Sequence, residues 1–137
     1  MSKAKFQLEI VTPERVVYEG EVHMVVLPAL EGDIGVLPGH MPLITMIRPG
    51  VATIETENHA AQNIFVAQGY VEVTPQKCSV LAEYAVDVRE LNKEEVKARI
   101  EELSKQLEKT STEKNQVALI KQIAIYNSML ELVETKL

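Results

Sequence analysis

The sequence predicts a β + α protein: an N-terminal antiparallel β-sandwich or flattened barrel over residues 1–87, then an antiparallel two-helix hairpin over residues 88–137. Three observations carry this reading. Short apolar runs with period-two alternation, broken about every 8 to 12 residues by Gly, Pro or Asn, fill the first part and read as strands. After Asp87 the apolar spacing changes to three and four, that of one helical face. The charge balance changes at the same place. Residues 1–87 hold five Lys+Arg against eleven Asp+Glu and residues 88–137 nine against nine, so the whole net charge of −6 lies in the first part. A compositional shift of this kind marks two modules.

The strands follow in order. "KFQLEIVT" places Phe6, Leu8 and Ile10 on one side and Gln7 and Glu9 on the other, a half-buried strand. "VVYEG", "VHMVVLPAL", "GDIGVLPG", "LITMI", "GVATIET", "NIFVAQGYVEVT" and "KCSVLAEY" come next. Their separators, "EGD", "PGHMP", "RPG", "ENHAAQN" and "TPQ", are rich in residues that adopt or impose turn dihedrals. Seven or more short strands with no helix-length pattern between them favour an antiparallel sandwich over a parallel sheet.

In "ELNKEEVKARIEELSKQLEK", Val96, Ile100, Leu103 and Leu107 share one helical face. Asn92 is the expected N-cap with Glu95 in capping-box position, so a helix begins near residue 93. "KTSTEKN" breaks it, and Thr110 with Glu113 predicts a second capping box. Leu119, Ile123, Tyr126, Leu130, Val133 and Leu137 then form a second stripe, flanked by Val117, Ile120 and Ala124 on one side and Ile125, Met129 and Leu132 on the other. A short connection makes the two helices an antiparallel hairpin. A helix apolar on several sides needs more cover than one partner helix provides.

Composition excludes several functions. The acidic balance and the absence of Trp leave no basic, aromatic surface for nucleic acid. The single Cys78 sits in a strand-like run and reads as a buried structural thiol. His23, His40 and His59 share no metal-ligand spacing. No stretch has the roughly 18 consecutive apolar residues of a membrane span, and the first residues lack a signal-peptide pattern. No phosphate-binding glycine loop of standard spacing occurs. Only "EGDIGVLPGHMPLITMIRPG", residues 31–50, looks like an active-site loop, with His40 as a base and Asp33 or Glu31 to orient it. Its glycines and prolines are what tight turns need, however, and no Ser or Cys nucleophile lies nearby.

With its neighbours "EIVTPERVVYEGEV", "VAQGYVEV" and "VLAEYA", this stretch resembles the epsilon subunits of bacterial F-type ATP synthases along nearly the whole chain. The resemblance implies a sandwich of about ten strands and a helical hairpin, in a non-catalytic central-stalk subunit. Such a subunit binds gamma and the c-ring and couples proton-driven rotation to the catalytic head. It further implies a c-ring side at Glu31, Gly32 and Asp33 and a gamma side at His40, Met41 and Pro42. The expected place is the cytoplasmic face of a bacterial cell membrane, peripheral and without membrane insertion.

Some members bind ATP through an Ile/Leu-Asp-x-x-Arg-Ala motif at the start of the first helix. The matching residues are Leu91, Asn92, Glu95 and Val96. An anion replaces the phosphate-binding arginine, and only Lys114, Lys121 and Lys136 in the second helix compensate, so weak or no ATP binding, and no cofactor, is expected. In many members the hairpin extends and restrains ATP hydrolysis. The balanced charge here, with Glu131 and Glu134 near the C-terminus, opposes contact with acidic loops of the alpha and beta catalytic subunits. The apolar excess of the second helix leaves that contact open as a second role. The rival reading is a free-standing adaptor or regulatory protein with the same two modules.

Overall fold

The computed structural model describes residues 4–57 and 59–135, in two compact units, Met1–Asp87 and Val88–Leu137. Among the described residues the first unit holds eight strands: β1 (Phe6–Val11), β2 (Val16–Val22), β3 (Met24–Ala29), β4 (Gly32–Val36), β5 (Leu43–Ile47), β6 (Gly50–Glu55), β7 (Gln62–Val73) and β8 (Lys77–Asp87). Hydrogen bonding runs in the order β2-β1-β8-β7-β5-β3-β4, and β6 pairs with both β3 and β7. Every described pairing is antiparallel except β1 with β8, which run parallel in the register Leu8–Cys78 and Ile10–Val80.

Eight strands stand where about ten were expected, because β7 and β8 are 12 and 11 residues long and each does the work of two. Gln68 interrupts β7 with a left-handed φ of 58°. Before it Ile64 and Val66 belong to the core, and after it Val71 and Val73 do, so the inward phase moves from even to odd numbers. The partner changes at the same point, from β6 along Gln62–Val66 to β5 along Gly69–Val73. β8 follows the change, with Cys78, Val80 and Ala82 in the core and then Ala85. Next to Gln68 only glycine fits, since a Cβ on Gly69 would lie 1.8 Å from the Leu81 carbonyl oxygen.

The core is aliphatic. Leu8, Ile10, Val25, Leu27, Ile64, Val66, Val71 and Val80 are completely inaccessible to solvent. Each such burial stabilises by about 1.5–3 kcal/mol before conformational entropy is counted.

The second unit opens with a 3₁₀ turn (Val88–Glu90), then α1 (Lys93–Lys109) and α2 (Glu113–Glu134). Asn92 caps α1 as expected, its Oδ1 accepting from the Glu95 N–H at 3.0 Å. The expected Thr110–Glu113 capping box does not form. Thr110 instead closes α1, its hydroxyl donating to the Gln106 carbonyl at 2.7 Å, and Thr112 is the N-cap of α2 without a side-chain hydrogen bond. The helices pack on each other as a hairpin, and Lys93 of α1 lies 3.7 Å from Glu134 of α2, which joins the start of one to the end of the other.

Val96 and Leu103 are the buried residues of α1, both on the predicted stripe. In α2 the buried residues are Ile125 and Met129, to one side of its predicted stripe, while Val117 and Ile120 on the other side are exposed. Leu137, the last residue of that stripe, and Lys136 lie outside the described residues.

Candidate docking surface

The stretch 31–50 folds as turns around two strands. Leu30 and Glu31 form the tight connection between β3 and β4, closed by the Ala29–Gly32 pair, and Gly32 takes a φ of 144° that a side chain would strain. Glu31, Gly32 and Asp33 are all exposed on this hairpin. The Arg48 guanidinium holds the Asp33 carboxylate at 2.5 Å and donates a second hydrogen bond to the Ala29 carbonyl. Leu37–His40 is a tight turn, with the His40 N–H on the Leu37 carbonyl at 3.1 Å and Gly39 at a φ of 79°. The Gly39 N–H reaches the Pro75 carbonyl at 3.0 Å, which pins this turn to the β7–β8 connection. His40 Nδ1–H donates to the Met41 carbonyl at 2.6 Å, and Met41 is 79% exposed.

His40 and Asp33 therefore have different partners, and neither is arranged to orient the other. Among the described residues no group of three or more His, Cys, Asp or Glu side chains can hold a metal ion. The Cys78 thiol is buried, and burial pushes it up to about 12, which keeps it protonated and unreactive near neutral pH. At the start of α1, Asn92 is engaged as a cap, Val96 is buried and Glu95 is exposed. Leu91 donates its N–H to the Val88 carbonyl. No described helix is long and apolar enough to cross a membrane.

A row of apolar residues across the outer sheet face is a feature that strand-by-strand reading missed. Met46 of β5 pairs with Tyr70 of β7, Tyr70 with Leu81 of β8, Leu81 with Val11 of β1 and Val11 with Val16 of β2. Residues directly opposite in register point to the same face. Met46, Tyr70, Leu81 and Val16 are 57%, 42%, 37% and 56% exposed. Ile44, two residues before Met46, and Leu30, whose N–H donates to the Met46 carbonyl, extend the row.

An open pocket of about 340 Å³ beside it is lined by Val11, Pro13, Tyr70 and Leu81 and closed by Gln68 and Gly69 at the β7 kink. One row over, Ile44 stands in register with Glu72, Ser79 and Glu9. Ser79 donates to Glu9 at 3.1 Å, and Lys77 pairs with Glu9 at 3.3 Å. An apolar centre with a polar border is the anatomy of a protein–protein interface. The signal was present in "LITMI", which is apolar in both strand phases, but β7 and β8 had to be aligned to reveal it.

The β-sandwich domain model of the ATP synthase delta/epsilon chain matches residues 5–88. The ATP synthase epsilon chain of Rhodospirillum rubrum is 36% identical over 124 residues, covering 90% of this chain and 92% of that one. That of Rhodospirillum centenum is 35% identical over 137 residues, covering 96% and 94%. Among solved structures, a chain of the Euglena gracilis mitochondrial ATP synthase OSCP/F1/c-ring assembly superimposes with a TM-score of 0.70 at 20% identity, covering 98% of this chain and 82% of that one. A chain of the Tetrahymena thermophila mitochondrial central stalk/c-ring does so at 0.57 and 16%, covering 95% and 99%. At these identities the two structural likenesses establish the fold.

Proposed function

This chain belongs to the ATP synthase delta/epsilon chain family, and we propose that it is the non-catalytic central-stalk subunit that joins gamma to the c-ring and transmits rotation to the catalytic head. The observation that carries the proposal is the exposed apolar row from Met46 to Val16 across the outer sheet face, bordered by Glu72, Ser79 and Glu9. It is the gamma-docking surface, continued by Met41 and the neighbouring His40 and Pro42. Glu31, Gly32 and Asp33, on a hairpin tied down by Arg48, face the c-ring.

Rigid turns suit a part that carries torque, because a loop that reorders on loading would lose the work. The subunit performs no chemistry in this reading. It sits peripherally at the cytoplasmic face of the bacterial cell membrane, held there by its partners. The start of α1 is a capped helix end and not an ATP site, since Asn92 is engaged with the backbone and Glu95 would repel phosphate. A second role, restraint of ATP hydrolysis by contact with the alpha and beta subunits, is favoured by the exposed Val117 and Ile120 of α2.

The test is co-expression with gamma and recovery of the complex by size exclusion. Met46→Glu with Leu81→Glu buries two charges in the proposed interface, and the complex should weaken by tenfold or more, since each uncompensated charge costs several kcal/mol. Recovery at the level of the unmodified chain, with the variant folded, would place gamma elsewhere. A chain that never co-purifies with a membrane ATPase would favour the free-standing adaptor.

A further inference from the structure

On the same unit, apart from the apolar row, a cavity of about 270 Å³ is lined by Lys5, Tyr18, Glu21, His23, Glu57 and His59, together with Thr56. His23 is the buried polar residue at its inner wall, 8% exposed. Its Nδ1 lies 3.0 Å from the Ala4 carbonyl oxygen. A carbonyl only accepts, so Nδ1 carries the hydrogen and, in the neutral ring, Nε2 is the bare acceptor nitrogen. Nε2 is buried without a hydrogen-bond partner, and the nearest ionic group is the Glu57 carboxylate, at 4.0 Å. A carboxylate also only accepts. Two acceptors thus face each other, and neither can donate to the other directly.

We propose that His23 and Glu57 form a proton-operated clasp, in which protonation of Nε2 turns it into a donor and draws Glu57 into a charge-assisted hydrogen bond. One added proton supplies the hydrogen that a direct bond of about 2.8 Å between the two side chains requires. Ala4 precedes β1, His23 separates β2 from β3, and Glu57 lies in the β6–β7 connection, so closure ties three segments that are distant in sequence. The backbone already anchors the corner, as the His23 N–H donates to the Glu55 carbonyl at 2.9 Å. Other charges share the cavity. Glu21 favours a protonated His23, while Lys5 and a protonated His59 oppose it, and Tyr18, raised by burial, stays neutral. Glu57 is an exposed residue whose side chain keeps 33% of its surface open, so the closed bond is shielded from water mainly on the side of the His23 ring, which is 10% exposed.

The experiment is hydrogen exchange of the 56–57 and 59–61 amides in the full chain at pH 8 and pH 5, corrected for intrinsic rate. In the unmodified chain, protection of these amides rises about threefold or more on acidification. In Glu57→Gln the rise is absent. His59→Gln keeps the rise, which separates the clasp from the neighbouring ring. A rise that persists in Glu57→Gln, or protection that is the same at both pH values, would overturn the proposal. Both residues lie away from the apolar row, so this result and the gamma-docking test fail independently.

Discussion

Arg48 and Asp33 stand fifteen residues apart in sequence and meet at 2.5 Å, joining the end of β5 to the β3–β4 hairpin. The same guanidinium also donates to the Ala29 carbonyl, so one side chain closes both ends of the stretch that first looked catalytic. Asp33 is 61% and Arg48 39% exposed, which makes the pair a weak stabiliser and a good positioner. A double-mutant cycle with Asp33→Ala and Arg48→Ala in urea should give a coupling of about 0.2–1 kcal/mol that shrinks in high salt. Arg48→Ala alone should cost about 1 kcal/mol more than Asp33→Ala, because it also removes the hydrogen bond to the Ala29 carbonyl. Equal single-mutant costs would mean that the carbonyl contact contributes nothing.

The β7 kink makes an opposite pair of predictions for adjacent residues. Gly69→Ala drives a Cβ to within 1.8 Å of backbone that cannot swing aside, and should destabilise by several kcal/mol or prevent folding. Gln68→Gly relieves a left-handed φ and should raise stability by up to about 1 kcal/mol, read as a higher denaturation midpoint. A neutral Gly69→Ala would show that β7 and β8 have room to separate.

Asn92→Ala removes the side-chain bond to the Glu95 N–H and should cost about 1 kcal/mol, seen as earlier loss of helical circular dichroism on heating. Asn92→Asp should hold or improve the helix, since the cap remains and the added charge suits the N-terminal dipole. Calorimetric titration of the unmodified chain with ATP should show no micromolar binding.

Cys78 predicts alkaline behaviour. Its thiol is raised from 9.0 to about 12 by burial, so the folded state holds the proton longer than the unfolded state. The stability linked to this group is fully present below about 9, falls as pH rises from there, and is lost by about 12. Cys78→Ala should cost stability at pH 7 by leaving a small void, yet fall less steeply above pH 9. A thiol reagent at pH 8 should label the native chain only as fast as it unfolds.

Removing the hairpin after Asp87 tests the second role. If Val117 and Ile120 contact the catalytic subunits, ATP hydrolysis by the assembled head and rotor should rise several-fold on truncation. An unchanged rate, with the truncated chain still in the complex, would leave coupling to the sandwich alone.

Local patterning sufficed for much of this. Period-two runs ended by Gly and Pro, the change of period after Asp87, and the Asn92 cap depend on residues within a few positions of one another, and such signals survive in a linear reading. The resemblance to epsilon subunits was likewise carried by contiguous motifs, "EGDIGVLPGH" above all. Tertiary structure decided the rest, for reasons of register and of handedness. The left-handed turn at Gln68 reverses which side of β7 faces inward, and nothing in a non-glycine residue announces that conformation. Once β7 and β8 are aligned across it, Met46, Tyr70, Leu81, Val11 and Val16 fall into one row, although their numbers follow no period. The Arg48–Asp33 pair and the His23–Glu57 gap are of the same kind. Each joins residues that become neighbours only after long-range strand pairing has closed the loops between them, so their chemistry is a property of the fold and not of any segment.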